Sequence, residues 1–278
     1  MSHHALSLAA GQELCPGYKL IRLLGKGGYG SVWEVDANGR TVALKFLETS
    51  NDEAAIKEIR AIQAVKQLHH PNLVPIEQVW AQSGHVIVTM PLADGSVLDL
   101  YEACLEEFGT PMKPDEVLPM LAQAAAGLDF LNKRQHIIDG RRVAIQHCDI
   151  KPSNLLLFGD KVKICDFGLS TITTTTVRFH RRAGTLAYAA PEVFQGRLSD
   201  HTDQYALAVS YCQLVSGKFP FHDTPSKFTE DYVRPAPDLS MLAEAERPII
   251  ARALSPVPQQ RYPTCQELIN ELKRANGL

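Results

Sequence analysis

The chain has 278 residues, of which 45% are hydrophobic and 21% charged, with a formal net charge of −3. This is enough apolar material for one large domain or two lobes, and the absence of a basic excess argues against nucleic acid or an anionic membrane as partner. No apolar run approaches the roughly 18 residues of a spanning helix, and the start, MSHHALSLAAGQELCPGY, lacks the basic region of a secretory signal.

Residues 1–17 read as a flexible N-terminal segment, with His3 and His4 too few for a metal tract. Residues 18–47 read as strands: YKLIRLL, a glycine-rich break GKGGYG, SVWEV, a hairpin turn at Asn38-Gly39, and TVALKFL. Residues 52–68 change period, with Ala55, Ile59, Ile62, Val65 and Leu68 at helical spacing, and His70-Pro71-Asn72 ends that helix. LVPIEQVW and HVIVTM are strands again. PLADGS, 91–96, is a Pro/Gly break that divides an N-lobe, 18–90, from a C-lobe, 97–278.

After that break the chain turns helical, with candidates at 97–108, 115–134, 201–216, 240–254 and 264–275, and short strands around polar loops at 145–168. Asp139-Gly140 reads as the tip of a surface hairpin inside RQHIIDGRRV. Strands first and helices later indicate an α+β class rather than a parallel α/β sheet. Cys15, Cys104, Cys148, Cys165, Cys212 and Cys265 form no C-x-x-C pair. They read as reduced, packed thiols, which points to a cytoplasmic location.

Three stretches carry chemistry. Gly25, Gly27 and Gly30 have G-x-G-x-x-G spacing, which lets backbone N–H groups approach a phosphate. A strand follows them rather than a helix, which argues against a dinucleotide fold, and the Gly-Lys-Ser/Thr of a Walker loop is absent. Lys45 closes the next strand, one hairpin away, and needs a carboxylate partner if its ammonium is buried. Glu53 and Glu58 are available, with Glu58 favoured because Ile59 and Ile62 beside it face inward. Finally, Asp149 and Asn154 stand five apart in HCDIKPSN, with Asp166 seventeen beyond Asp149 in ICDFGLS. The intervening LLLFGDKVKI reads as a hairpin through Gly159-Asp160, so Asn154 and Asp166 converge and can offer oxygens to one hard cation.

The set GKGGYGSV, VALK, HCDIKPSN, DFG and GTLAYAAPE resembles the signature of the protein kinases, in order and interval, over about residues 18–275. Lys151 in DIKPSN and Thr185 in GTLAYAAPE are similar to the serine/threonine branch, and the short chain resembles bacterial kinases of eukaryotic-like type. The resemblance implies a bilobal fold, a small β-rich N-lobe with one helix and a larger, mainly helical C-lobe. It implies ATP with Mg²⁺ or Mn²⁺ as cofactors. Gly25, Lys26, Gly27, Gly28 and Gly30 would cover the phosphates, and Lys45, paired with Glu58, would hold the α/β-phosphates. Val32, Ala43, Met90, Leu92 and Leu156 would enclose the base, with Thr89 or Met90 as gatekeeper. Asp149 would orient the acceptor hydroxyl and Lys151 neutralise the γ-phosphate. Asn154 and Asp166 would hold the metal, and Thr185 the substrate side. Glu192 would pair with Arg261, and Asp203 would anchor the catalytic loop.

The resemblance breaks at Cys148, where the family usually has the arginine that binds an activation-segment phosphate. The segment STITTTTVRFHRRAGT nonetheless offers Thr173, Thr174, Thr175 and Thr176 as candidate phosphosites, with Arg178, Arg181 and Arg182 nearby to bind the charge. The expected function is phosphorylation of protein serine and threonine hydroxyls, with autophosphorylation in trans through a dimer. Protein substrates are the expected partners, without nucleic acid or membrane. The rival readings are a pseudokinase, acting as a nucleotide-binding scaffold, and a small-molecule kinase.

Overall fold

In the computed structural model the strand-rich front of the chain forms one antiparallel sheet. Residues 8–27, 30–49, 52–138, 140–166, 171–173, 178–179, 185–227, 229 and 231–278 are described, with the backbone alone at 52, 54, 57, 61, 64, 171–173 and 178–179. They divide into two units, one reaching His69 and resuming at Leu73–Asp94, the other comprising His70–Asn72 and Gly95–Leu278.

The first unit holds β1 (Glu13–Cys15), β2 (Tyr18–Gly27), β3 (Gly30–Ala37), β4 (Arg40–Glu48), α1 (Asp52–Lys66), β5 (Gln78–Gln82) and β6 (His85–Pro91). Sheet order is β1-β2-β3-β4-β6-β5. The β3–β4 turn is the expected two-residue one: Ala37 pairs with Arg40, and Asn38 and Gly39 both take positive φ. The sheet is covered on both faces. Leu20, Val35, Leu44, Phe46 and Ile87 pack together on one, while Val86 and Val88 meet Ala55 and Ile62 of α1 on the other. This alternation follows from the period-2 geometry of β4 and β6. The helix stops at Lys66, two residues short of the expected end.

Residues 8–17 depart from the expected flexible lead-in. Leu14 is buried in the sheet core, and β1 pairs with β2. Gly11 N donates to Leu20 O at 2.8 Å and Leu20 N to Gln12 O at 2.9 Å. Leu14, with Leu8 packed against the same core, and these backbone bonds offset the ordering of the segment.

The second unit opens with β7 (Gly95–Ser96) and α2 (Val97–Phe108). Ser96 and Asp99 form a reciprocal N-terminal cap, Ser96 N to Asp99 Oδ2 at 2.7 Å and Asp99 N to Ser96 Oγ at 3.1 Å. Then follow α3 (Pro114–Asn132), β8 (His136–Ile138), β9 (Arg141–Gln146), a 3-10 turn at Pro152–Asn154, β10 (Leu155–Phe158) and β11 (Lys161–Ile164). β12 (Thr171–Thr173), β13 (Arg178–Phe179), α4 (Pro191–Phe194), β14 (Arg197–Leu198), α5 (Thr202–Ser216), α6 (Arg247–Ala253) and α7 (Cys265–Ala275) complete it. The small sheets are β11-β10-β7, β12-β9-β8 and β13-β14.

Helix α5 is the axis of this unit. It is apolar around most of its circumference and buried from Thr202 to Cys212, as befits a helix in a large core. Helix α7 is capped at its N-terminus from outside itself: Asp129 of α3 accepts from Cys265 N at 2.8 Å and Gln266 N at 3.0 Å. Helix α6 is shorter than the expected 240–254, because Pro248 suits a first turn and not a helix interior, so 240–246 forms turns instead. All six cysteines are free thiols, and burial pushes Cys212 up to about 12, in keeping with a packing role. Among the described residues no helix is long and apolar enough to cross a membrane.

Candidate active site

The β10–β11 hairpin sets the site's geometry. Leu155 pairs with Ile164 and Phe158 with Lys161, so the residues flanking the hairpin, Asn154 and Cys165, meet at its open end. Cys165 N donates to Asn154 O at 3.0 Å. Asp166 follows at once, half-buried and in the left-handed region, φ 64°. A non-glycine residue pays for that conformation, so the surrounding contacts fix it.

Asp149 is buried, and its carboxylate accepts four hydrogen bonds. Oδ1 takes Thr185 N at 2.8 Å and Thr185 Oγ1 at 2.9 Å. Oδ2 takes Lys151 Nζ at 2.8 Å and Asn154 Nδ2 at 3.1 Å. Lys151 Nζ also donates to Thr185 Oγ1 at 2.6 Å, and Asn154 Nδ2 to Asp149 O at 2.7 Å. Since the amide nitrogen of Asn154 points at Asp149, its Oδ1 is directed elsewhere. That oxygen and the Asp166 carboxylate are a donor set suited to a hard divalent cation that takes its other ligands from phosphate and water.

The loop is held from beneath. Asp203 on α5 accepts from His147 N at 2.7 Å and Cys148 N at 2.8 Å. Burial raises the Asp203 pKa, while His147 and the two amides pull it down. His147 Nε2 donates to Cys165 O at 2.7 Å, linking the loop to the residue before Asp166. Cys148, where the resemblance leads one to expect arginine, has φ 70°.

Beyond Thr185 the chain turns through Leu186–Tyr188, and Tyr188 Oη donates to Gln213. Glu192 then meets Arg261 in a two-pronged ion pair, with both N···O distances 2.8 Å and the Arg261 side chain fully buried. Ser199 and Thr202 hydroxyls also donate to Glu192, while Arg261 Nε donates to Ser255 O at 2.9 Å. This pair is thus saturated with partners, the condition under which a buried ion pair is tolerated.

In the first unit, Lys45 is half-buried on β4 opposite Val32 and Val88. Glu58 is half-buried on α1, whereas Glu53 is exposed. Ala43 pairs with Met90, and Val32 with Gly25. Lys26 is exposed on β2 opposite Ser31, and Leu92 is half-buried just past β6. Leu156, in the second unit, pairs with Lys163 and Ser96. The three motif glycines differ. A Cβ on Gly30 would stand 1.7 Å from Phe46 O, and its φ is +133°, so packing alone demands glycine there. A Cβ on Gly25 or Gly27 would meet nothing within 4 Å. Among the described residues, no neighbour calls for glycine at those two. Gly28, Thr174, Thr175 and Thr176 lie outside the described residues, and Thr173 is described in its backbone alone.

Two features lacked a signal in the sequence. Thr89 is buried, and among the described residues its Oγ1 finds no hydrogen-bond partner. Arg234 donates to the carbonyls of Leu186, Ala187 and Ala189 from a stretch, VRPAP, without any periodic pattern.

A family model described as the protein kinase domain matches residues 18–276. CBL-interacting protein kinase 4 of Oryza sativa subsp. japonica is 28% identical over 269 residues, 90% of this chain and 56% of that protein. The serine/threonine-protein kinase PknF of Mycobacterium tuberculosis is 27% identical over 297 residues, 98% of this chain and 59% of its own length. PknH of Mycobacterium bovis, also named a serine/threonine-protein kinase, is 29% identical over 266 residues, 90% of this chain and 42% of that protein. The chain thus spans about half the length of the curated relatives it matches. With its signature motifs in order and the family model covering nearly all of it, this chain belongs to the protein kinase family.

Proposed function

We propose that the chain is an ATP-dependent protein kinase acting on serine and threonine hydroxyls. The observation that carries this reading is the saturated Asp149 carboxylate, held by Lys151, Asn154 and Thr185. Phosphoryl transfer asks little covalent chemistry of a protein; alignment and charge neutralisation are most of the work. Asp149 exchanges one of its present hydrogen bonds for the acceptor hydroxyl and takes up its proton as the hydroxyl oxygen attacks the γ-phosphorus of ATP and the bond to the β–γ bridging oxygen breaks, releasing ADP. Lys151 neutralises the γ-phosphate, and the hydroxyl of Thr185 keeps lysine and aspartate in register. The serine/threonine naming of the relatives supports this class of acceptor.

Asn154 and Asp166 hold the divalent cation, Mg²⁺ or Mn²⁺; when bound, it offsets charge on the phosphates. Lys45, backed by Glu58, holds the α/β-phosphates, and Gly25, Lys26 and Gly27 offer backbone amides to them. Val32, Ala43, Met90 and Leu92 take the base, with Thr89, the more buried of the two gatekeeper candidates, behind it. Protein substrates, a cytoplasmic setting and a dimer during trans-autophosphorylation complete the reading. Without arginine at 148, a phosphate on the segment from Thr173 to Thr176 relies on Arg178, Arg181 or Arg182 instead. Mass spectrometry after incubation with ATP checks this: an unmodified peptide from an active preparation refutes it.

The deciding assay measures ATP turnover on a degenerate serine/threonine peptide library by wild type, Asp149→Asn and Lys45→Met. Wild-type transfer, lost in both variants, supports the reading. Nucleotide binding without transfer by the wild type overturns it in favour of a scaffold.

A further inference from the structure

The long connection between α5 and α6 reaches back to the chain that follows Thr185. Among the described residues, 217–246 contains neither helix nor strand. It is tied to itself by Asp238 N to Pro220 O at 2.9 Å and Tyr232 Oη to Asp223 O at 2.7 Å. From it Arg234 turns inward. Its Nε donates to Ala189 O at 3.0 Å, and its Nη2 donates to Ala187 O at 3.2 Å and to Leu186 O. The guanidinium carbon lies 4.5 Å from the centroid of the Phe221 ring and 5.3 Å from that of Phe194.

One planar cation therefore gathers three carbonyls from four consecutive residues. No strand supplies these carbonyls with donors, and a half-buried loop needs them satisfied. Arginine can do this because its donors are fixed in a fork, and stacking against the rings sets the plane of that fork. Lysine carries its three donors on one nitrogen and lacks the planar fork and the stacking that fix this geometry. The gathered stretch begins one residue after Thr185, which binds both Oδ1 of Asp149 and Nζ of Lys151. Its orientation is thus coupled to the catalytic carboxylate through a single covalent link.

We propose that Arg234 is a positioning residue for the protein substrate: by holding the backbone of Leu186–Ala189, it fixes the ledge on which the acceptor peptide lies next to Asp149. The inference rests on the kinase reading of this site. A ledge released from Arg234 still leaves the phosphate-handling groups in place, but it no longer presents the acceptor hydroxyl in one geometry.

Arg234→Met retains length and apolar packing while removing every donor. Steady-state kinetics of this variant, with peptide and ATP varied separately, test the proposal. The peptide KM is expected to rise about tenfold or more while the ATP KM stays within roughly twofold of wild type. Added methylguanidinium is expected to restore part of the peptide affinity in Arg234→Ala. An unchanged peptide KM in folded Arg234→Met overturns the proposal, as does a parallel loss in both KM values. If the methionine variant does not fold, Arg234→Lys replaces it, and a wild-type peptide KM there is equally fatal. A wild type that phosphorylates no peptide at all refutes the kinase reading itself, an outcome distinct from any of these.

Discussion

Asp203 Oδ1 accepts the amide of Cys148 at 2.8 Å, and that cysteine is held at φ 70°. The same carboxylate takes the amide of His147 at 2.7 Å. A side chain on a buried helix thus clamps two consecutive amides of a strained loop, and Asp149 is the next residue along. The clamp determines where the carboxylate of Asp149, the proposed catalytic group, points.

Replacing Asp203 by asparagine removes the charge from both hydrogen bonds and leaves one acceptor for two amides. Stability is expected to fall by about 2–3 kcal/mol. The turnover number is expected to drop at least about tenfold, with the ATP KM little changed, because Asp149 is misplaced and the nucleotide contacts are not. Denaturant titration and steady-state kinetics check the two parts.

The motif glycines are expected to separate. Gly30→Ala drives a methyl group into the carbonyl of Phe46 and imposes an unfavourable φ, costing about 2 kcal/mol or more. Gly25→Ala meets open space, so its cost in stability stays within about 0.5 kcal/mol. Its effect is expected in a raised ATP KM. Denaturation midpoints with and without nucleotide distinguish the two variants.

Arg261→Met strands the Glu192 carboxylate in the core with, among the described residues, only the Ser199 and Thr202 hydroxyls as partners. The loss is expected at about 3–5 kcal/mol. Adding Glu192→Gln is expected to cost less than a second, independent loss, since the uncompensated charge has gone. Equilibrium unfolding of both single variants and the double variant measures that coupling.

His201 predicts an acid-sensitive fold. Burial and the neighbouring Arg261 cation lower its pKa, outweighing Asp200 and Glu192, which act the other way. In the window between the lowered folded value and the unfolded value near 6.5, the unfolded chain binds the extra proton. Stability therefore rises with pH through that window and is lost as pH falls below about 6.5. Comparing unfolding midpoints at neutral and mildly acidic pH, His201→Gln is expected to flatten this slope. An equal slope in both proteins would rule out the residue as its source.

Much of the site is legible in one dimension because it is built from local geometry. The hairpin through Gly159-Asp160 follows from alternating apolar residues and a turn, and hairpin closure alone brings Asn154 beside the residue preceding Asp166. The Asn38-Gly39 turn is a similar case. Elsewhere the pattern misleads: the lead-in has no clear strand period to announce the Leu8 and Leu14 contacts that bring it to the sheet, and the apolar spacing of 240–254 masks the late start that Pro248 imposes.

By itself the sequence determined the class of fold and the order of its elements, since these follow from periodicity, turn chemistry and spacing along the chain; the phosphate-handling roles proposed for its side chains rest on the resemblance of its motifs. Tertiary structure alone decided that Gly30 answers to the carbonyl of Phe46, that Asp149 has each of its oxygens doubly occupied, and that Arg234 carries three carbonyls 45 to 48 residues away. Those contacts join residues remote in sequence through buried hydrogen bonds. Their energy depends on position in space and leaves no period in the chain.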